Sequence, residues 1–203
     1  LLKKNKINFV AWGRTQSLKK YSWVDLDNHL SMEMIVDYLI KKNHKKIAFV
    51  NIDEEFNFAF QRKESFFESM KKNKIRASQK NYFTISQNNP ELSFQKVKNF
   101  LNKNPEITSI ICCTEYIAAG AIKACDDLSL KIGKDISLIT YDSLVISHLT
   151  NPSLTSVSHP VRELGNQAVN ILLEMRSKKG KNKNYMATPT IIERGSVAKL
   201  LKN

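Results

Sequence analysis

Asn28–Asn51, NHLSMEMIVDYLIKKNHKKIAFVN, is the stretch that decides the fold. From Asn28 to Lys42, residues Leu30, Met34, Ile35, Tyr38 and Leu39 recur at the three- and four-residue spacing that lines one face of a helix. Asn43 stands where a left-handed stop belongs, a conformation that Asn tolerates. Lys46–Asn51, KIAFVN, then switches to a short continuous apolar run, the pattern of a strand buried on both faces. The alternation continues outward. Strands are expected at Ile7–Trp12, Tyr82–Ser86, Ser109–Cys113, Ile136–Tyr141 and Thr190–Glu193. Helices are expected at Phe58–Asn73, Pro90–Asn102, Glu115–Leu128 and Pro160–Ser177, with a charged loop at Lys178–Asn184. Apolar strands between amphipathic helices imply an α/β protein with doubly wound parallel sheets and right-handed crossovers.

Composition narrows the function. The chain has 203 residues, 42% of them hydrophobic, which supports a packed core and excludes wholesale disorder. No apolar run approaches the ~20 residues of a membrane span. Leu1–Lys6 has neither a signal-peptide pattern nor a Met, so the sequence reads as a piece or a trimmed chain. The net charge is +13, from 32 Lys and Arg against 19 Asp and Glu. Only six of the cations are Arg, and the Lys pairs sit at helix ends and loops, so this is a solvated surface and not a nucleic-acid face. Cys112, Cys113 and Cys125 fit neither a disulfide framework nor a zinc site. Buried free thiols point to the cytoplasm. His29, His44, His148 and His159 show no metal spacing, and no phosphate-cradling glycine motif or nucleophile elbow is present. The expectation is a binding protein with no metal and no cofactor, not an enzyme.

Ligands of open parallel sheets bind outside the carboxyl ends of the strands. Those ends carry Asn51, Asp53 and Glu54, then Gln87, Asn88 and Asn89, then Thr114 and Glu115, then Asp142 and Ser143, with Arg62 on the helix after the first of them. Carboxylates, amides and one guanidinium suit a polyhydroxylated ligand. Trp12, Trp23, Phe56, Phe58 and Phe60 are candidates for an apolar face against its ring.

Seven stretches in order carry a family resemblance: Phe9–Arg14 (FVAWGR), Val24–Asn28 (VDLDN), Tyr38–Val50 (YLIKKNHKKIAFV), Arg62–Phe66 (RKESF), Thr114–Ala121 (TEYIAAGA), Asp135–Asp142 (DISLITYD) and Leu154–Gly165 (LTSVSHPVRELG). Together they resemble the effector-binding core of LacI/GalR-family transcriptional repressors, which shares the periplasmic sugar-binding-protein fold. The resemblance runs from about Ile7 to Ser196. It implies two lobes, with crossings near Asp25–Asn28, Val157–Pro160 and Thr188–Thr190. Residues 28–158 and 188–203 would form the C-terminal lobe, and residues 1–27 and 159–187 an incomplete N-terminal lobe. The family's helix-turn-helix, its hinge and the first βα units of that lobe are absent from this sequence. Operator DNA would be reached only through those missing parts.

The resemblance also implies site residues. Arg62 matches the family's effector-gripping arginine and Asp142 its hydroxyl-binding aspartate. Thr114, Glu115 and His159 occupy positions where the family commonly has other polar residues, Asn88 falls near an aromatic that several members stack on their ligand, and Phe58 is added from the residue reading above as an aromatic wall. Dimer contacts would come from Tyr116, Ala119 and Lys123 on one helix and from Ile146 in the loop after Asp142. The implied function is the sensing of a sugar or sugar phosphate by a homodimeric repressor. The alternative is a transport-type sugar-binding protein of the same fold.

Overall fold

The computed structural model describes residues 2, 4–15, 20–86, 88–141, 146–177 and 182–201, with all their side chains except those of Gln79 and Ile146. The described strands form two sheets. The smaller is parallel, in the order β1 (Val10–Trp12), β2 (Ser22–Leu26), β8 (Asn184–Ala187). The larger has the order β4 (Tyr82–Ile85), β3 (Ile47–Ile52), β5 (Ser109–Cys112), β6 (Ser137–Tyr141), β7 (Thr155–Val157), β9 (Ile191–Ile192). It is parallel except for β9, which pairs antiparallel with β7. The chain passes between the sheets after β2, after β7 and after β8.

The helices are α1 (Asn28–Lys41), α2 (Asn57–Lys72), α3 (Pro90–Lys103), α4 (Glu115–Asp127), the short α5 (Ile146–Leu149) and α6 (Val161–Ser177). Helices α1 and α2 pack on each other, as do α3 and α4, and α6 lies against the small sheet. The caps are those the residues favour. Asp27 accepts the Leu30 amide at 3.0 Å, and Asn89 accepts those of Glu91 and Leu92 at 2.8 and 3.1 Å. Asn43 has φ +70°, the left-handed stop that ends α1.

Nine expected elements match in kind, with ends moved by no more than a residue: Asn28–Lys42, Lys46–Asn51, Phe58–Asn73, Tyr82–Ser86, Pro90–Asn102, Ser109–Cys113, Glu115–Leu128, Ile136–Tyr141 and Pro160–Ser177. Others need correction. The first strand starts at Val10, not Ile7, and the last shrinks to two residues. Of the expected Lys178–Asn184 loop, residues 178–181 lie outside the described residues, and Asn184 opens strand β8. Strands β2 and β7 were not anticipated. SWVDL and TSV are too short and polar to show a period, and their burial comes from neighbouring strands.

An aromatic cluster anchors α2 on the large sheet. Phe66 lies 5.5 Å from Phe49 of β3, and Phe67 lies 5.8 Å from Tyr82 of β4, ring centre to ring centre. The buried face of α2 is Ala59, Arg62, Ser65, Phe66, Ser69 and Met70. Fixing Phe66 therefore also fixes Arg62, one turn earlier on the same face.

Candidate functional site

The large sheet's order reverses at β3, whose neighbours are β4 and β5. An open α/β sheet leaves a crevice at such a reversal, outside the carboxyl ends of its strands. A cavity of about 480 Å³ opens there, toward the small sheet. It takes Trp12, Gly13, Arg14 and Asp25 from the small-sheet side, Arg62, Phe58, Cys113, Thr114, Glu115 and Tyr141 from the large-sheet side, and His159 from the crossing after β7.

Arg62 is its centre. Only 6% of the residue is exposed. Its Nε donates to Asn28 Oδ1 at 2.9 Å and its Nη1 to the Cys113 carbonyl at 2.9 Å. The guanidinium carbon stands 3.3 Å from the centre of the Tyr141 ring and 5.0 Å from that of Phe58. Nη2 donates to no described residue. The cleft thus holds a buried cation with donor capacity to spare among the described residues.

Arg14 is paired. Gly13, at φ +85°, turns the chain off β1 so that the Arg14 amide and Nε both reach Asp25 Oδ2, at 3.2 and 2.9 Å. Asp25 Oδ1 accepts the Leu26 amide at 2.9 Å. Thr114 caps α4 through the Ile117 amide at 3.3 Å and donates to Asn88 Oδ1 at 2.7 Å. Glu115 opens α4, where the helix dipole favours a carboxylate. His159 has its ring 6.3 Å from that of Trp12. Burial and the nearby Arg62 hold its pKa below the ordinary histidine value, against the pull of Asp25. It is therefore neutral at pH 7 and able both to donate and to accept.

The structure brings Arg62, Thr114, Glu115, His159, Asn88 and Phe58 to one cavity, while Asp142 lies outside the described residues. Six other sequence candidates belong elsewhere, Asp53 and Phe60 among them because neither lines the cavity, and Gln87 and Ser143 lie outside the described residues. Asn51 is fully buried, and its amide donates to the Ala59 carbonyl and to the Tyr82 hydroxyl. Glu54 holds Lys63 at 2.7 Å and Tyr82 at 2.9 Å. Asn89 is a helix cap, and Trp23 lies under the Arg14 guanidinium outside the cavity. Sequence reasoning passed over Asn28 and Tyr141, the first read as a helix start and the second as core. Tyr116, expected at a dimer contact, is exposed and lines the cavity. Lys123 is exposed and bound to Glu91 at 3.1 Å, Ala119 is half-buried, and the side chain of Ile146 lies outside the description. Among the described residues no group of three or more His, Cys, Asp or Glu could hold a metal ion, and no helix is long and apolar enough to cross a membrane.

Known proteins match this arrangement. The periplasmic binding protein-like domain family matches residues 36–197. The transcriptional repressor PurR of Klebsiella pneumoniae is 31% identical over 162 residues, 79% of this chain and 47% of that protein. The transcriptional regulator MalR of Clostridium butyricum is 28% identical over 178 residues, 88% of this chain and 53% of that protein. The chain thus spans about half the length of the curated relatives it matches. A LacI-family regulatory protein from Chloroflexus aggregans superposes with a TM-score of 0.89 at 26% identity, covering 97% of this chain and 70% of that one. The chain belongs to the periplasmic binding protein-like domain family, in the form that LacI-family transcriptional regulators carry as their effector-binding domain.

Proposed function

We propose that this chain is the small-molecule-sensing core of a LacI-type transcriptional repressor. A sugar or sugar phosphate enters the cleft between the two sheets, and its differential affinity for closed and open arrangements shifts operator binding by the rest of the protein. The observation that carries this reading is Arg62: a buried guanidinium, its Nη2 donating to no described residue, on the wall of a 480 Å³ cavity at the sheet's reversal point. Arg62 grips an oxygen of the effector. Thr114, Asn88, Glu115 and neutral His159 take its hydroxyl groups, with Asp142 as a further acceptor. Phe58 and Trp12 supply apolar faces against its ring. The residues act by binding and not by turnover, the working unit is a cytoplasmic homodimer, and Tyr116, Ala119, Lys123 and Ile146 lie toward its partner.

The test is calorimetry against a panel of neutral monosaccharides, disaccharides and their phosphates, with the unchanged chain and R62A. A hydrogen bond to a charged group contributes about 1.5–3 kcal/mol, so R62A should bind about 10- to 150-fold more weakly. A panel in which nothing binds, or an R62A variant with unchanged affinity, would refute the assignment.

A further inference from the structure

Gln61 precedes Arg62 on α2, is half-buried and lies outside the cavity lining. Its Oε1 nevertheless accepts from two cavity residues on opposite sides. Arg14 Nη2 donates to it at 3.2 Å and Asn28 Nδ2 at 3.3 Å. Arg14 moves with the small sheet: it is bound to Asp25 of β2, and its guanidinium lies 5.3 Å from the centre of the Trp23 ring of the same strand. Asn28 opens α1, which packs on α2, and its Oδ1 accepts from Arg62 Nε at 2.9 Å. One amide oxygen therefore joins the small sheet's arginine to the large sheet's arginine, by the path Arg14–Gln61–Asn28–Arg62.

We propose that Gln61 is a positioning residue for the cleft: its side-chain oxygen holds the small sheet at one orientation to α2 and passes that orientation to Arg62. The reading rests on the cleft being the effector site, but the contact itself exists without a ligand. Beside the path run a hydrogen bond, from Asn28 Nδ2 to the Leu26 carbonyl of β2 at 3.1 Å, the three crossings, and packing such as Trp12 against His159. Both bonds to Oε1 are long for N–H···O, so a small rotation of the small sheet breaks the Arg14 bond while Asn28 still holds Arg62. The chemistry required at position 61 is a pure acceptor at the reach of a Gln side chain. Glutamate provides it and leucine does not.

The test uses the chain without ligand. Spin labels are placed at M186C on β8 and E68C on α2, both exposed positions, one on each side of the cleft. The three native cysteines are buried, so labelling is confined to the new thiols. Pulsed electron-electron resonance then reads the distance between the two sides. The unchanged chain and Q61E should give one narrow distribution at the same distance. Q61L should give a broadened or displaced one, with circular dichroism and melting temperature showing the fold intact. R14A removes the same contact from the other side and should reproduce the Q61L distribution, so a poorly folding Q61L does not end the test. A Q61L distribution equal to that of the unchanged chain would overturn the proposal, as would a Q61E distribution displaced as far as that of Q61L. Neither outcome touches the calorimetric test of the effector site. If that site fails while the distances move as expected, the lobe contact stands and the sensing function falls.

Discussion

Gly120→Ala should destabilise the protein, although alanine is the better helix former. Gly120 is buried in α4 where that helix meets α3. A Cβ there would stand 2.4 Å from Ser93 Cβ, 2.5 Å from the Pro90 carbonyl oxygen and 2.6 Å from the Phe94 amide nitrogen. Two of these obstacles are backbone, so no rotamer change relieves the contact and the helices must move apart. Inserting a methyl group into a packed interior costs about 1–3 kcal/mol, and backbone obstacles place this case in the upper half. The gain in helix propensity returns about 1 kcal/mol, leaving a net loss of about 1–2 kcal/mol. For a chain of this size that lowers the melting temperature by about 2–8 °C. Gly165 in α6 is the internal control: a Cβ there meets nothing within 4 Å. Gly165→Ala should therefore stabilise by up to about 1 kcal/mol. Thermal melts followed by circular dichroism read both. The reasoning fails if Gly120→Ala melts at or above the parent temperature, or if the two variants shift in the same direction.

Two further outcomes follow from the same contacts. His44 is fully buried, its Nε2 facing the Ala198 carbonyl at 3.0 Å, and burial lowers its pKa despite that carbonyl. Below its unfolded value of about 6.5 the unfolded chain takes up the proton first, so stability is complete above that pH and declines as pH falls through it. Urea midpoints at pH 7.5, 6.5 and 5.5 should fall in that order and fall less steeply in H44Q, whereas equal slopes would count against the assignment; His159, lowered in the same sense, supplies the remaining slope. Thr114→Val removes both the α4 cap and the bond to Asn88, which should cost about 1 kcal/mol in stability. The same variant should weaken whichever panel sugar the chain binds, and a variant with unchanged stability would mean that water replaces the cap.

The large sheet apart from β7 was legible because its helices bury stripes at helical spacing and its central strands are continuous apolar runs. IAFVNI of β3 and SLITY of β6 are buried at every position, so each residue carries the signal. The small sheet was not legible. SWVDL and NYMA pair with each other across 161 residues, which no local window contains. The site divides in the same way. Arg62 stands on a visible helix and within a recognisable motif. Asn28 and Tyr141 act through contacts with Arg62 at sequence separations of 34 residues and more. Asn51 misled for the opposite reason: a polar residue at a strand end can point inward, and this one holds α2 and β4 in place.

Arg62 also breaks the pattern around it. The buried face of α2 is otherwise made of small and apolar residues, yet it includes a cation in surroundings where isolated charges are costly. The described groups that offset that cost are two neutral oxygen acceptors, the Cys113 sulfur and two ring faces. A ring face under a desolvated cation contributes about 2 kcal/mol or more, and each charged hydrogen bond about 1.5–3 kcal/mol. The Asn28 oxygen aligns one edge of the guanidinium and the Cys113 carbonyl the next, and Nη2 meets no described acceptor. A side chain serving stability alone would gain nothing from leaving that donor unmatched among the described residues. Local rules are broken where function requires it, and here the breach coincides with the cavity and with the sheet's reversal point.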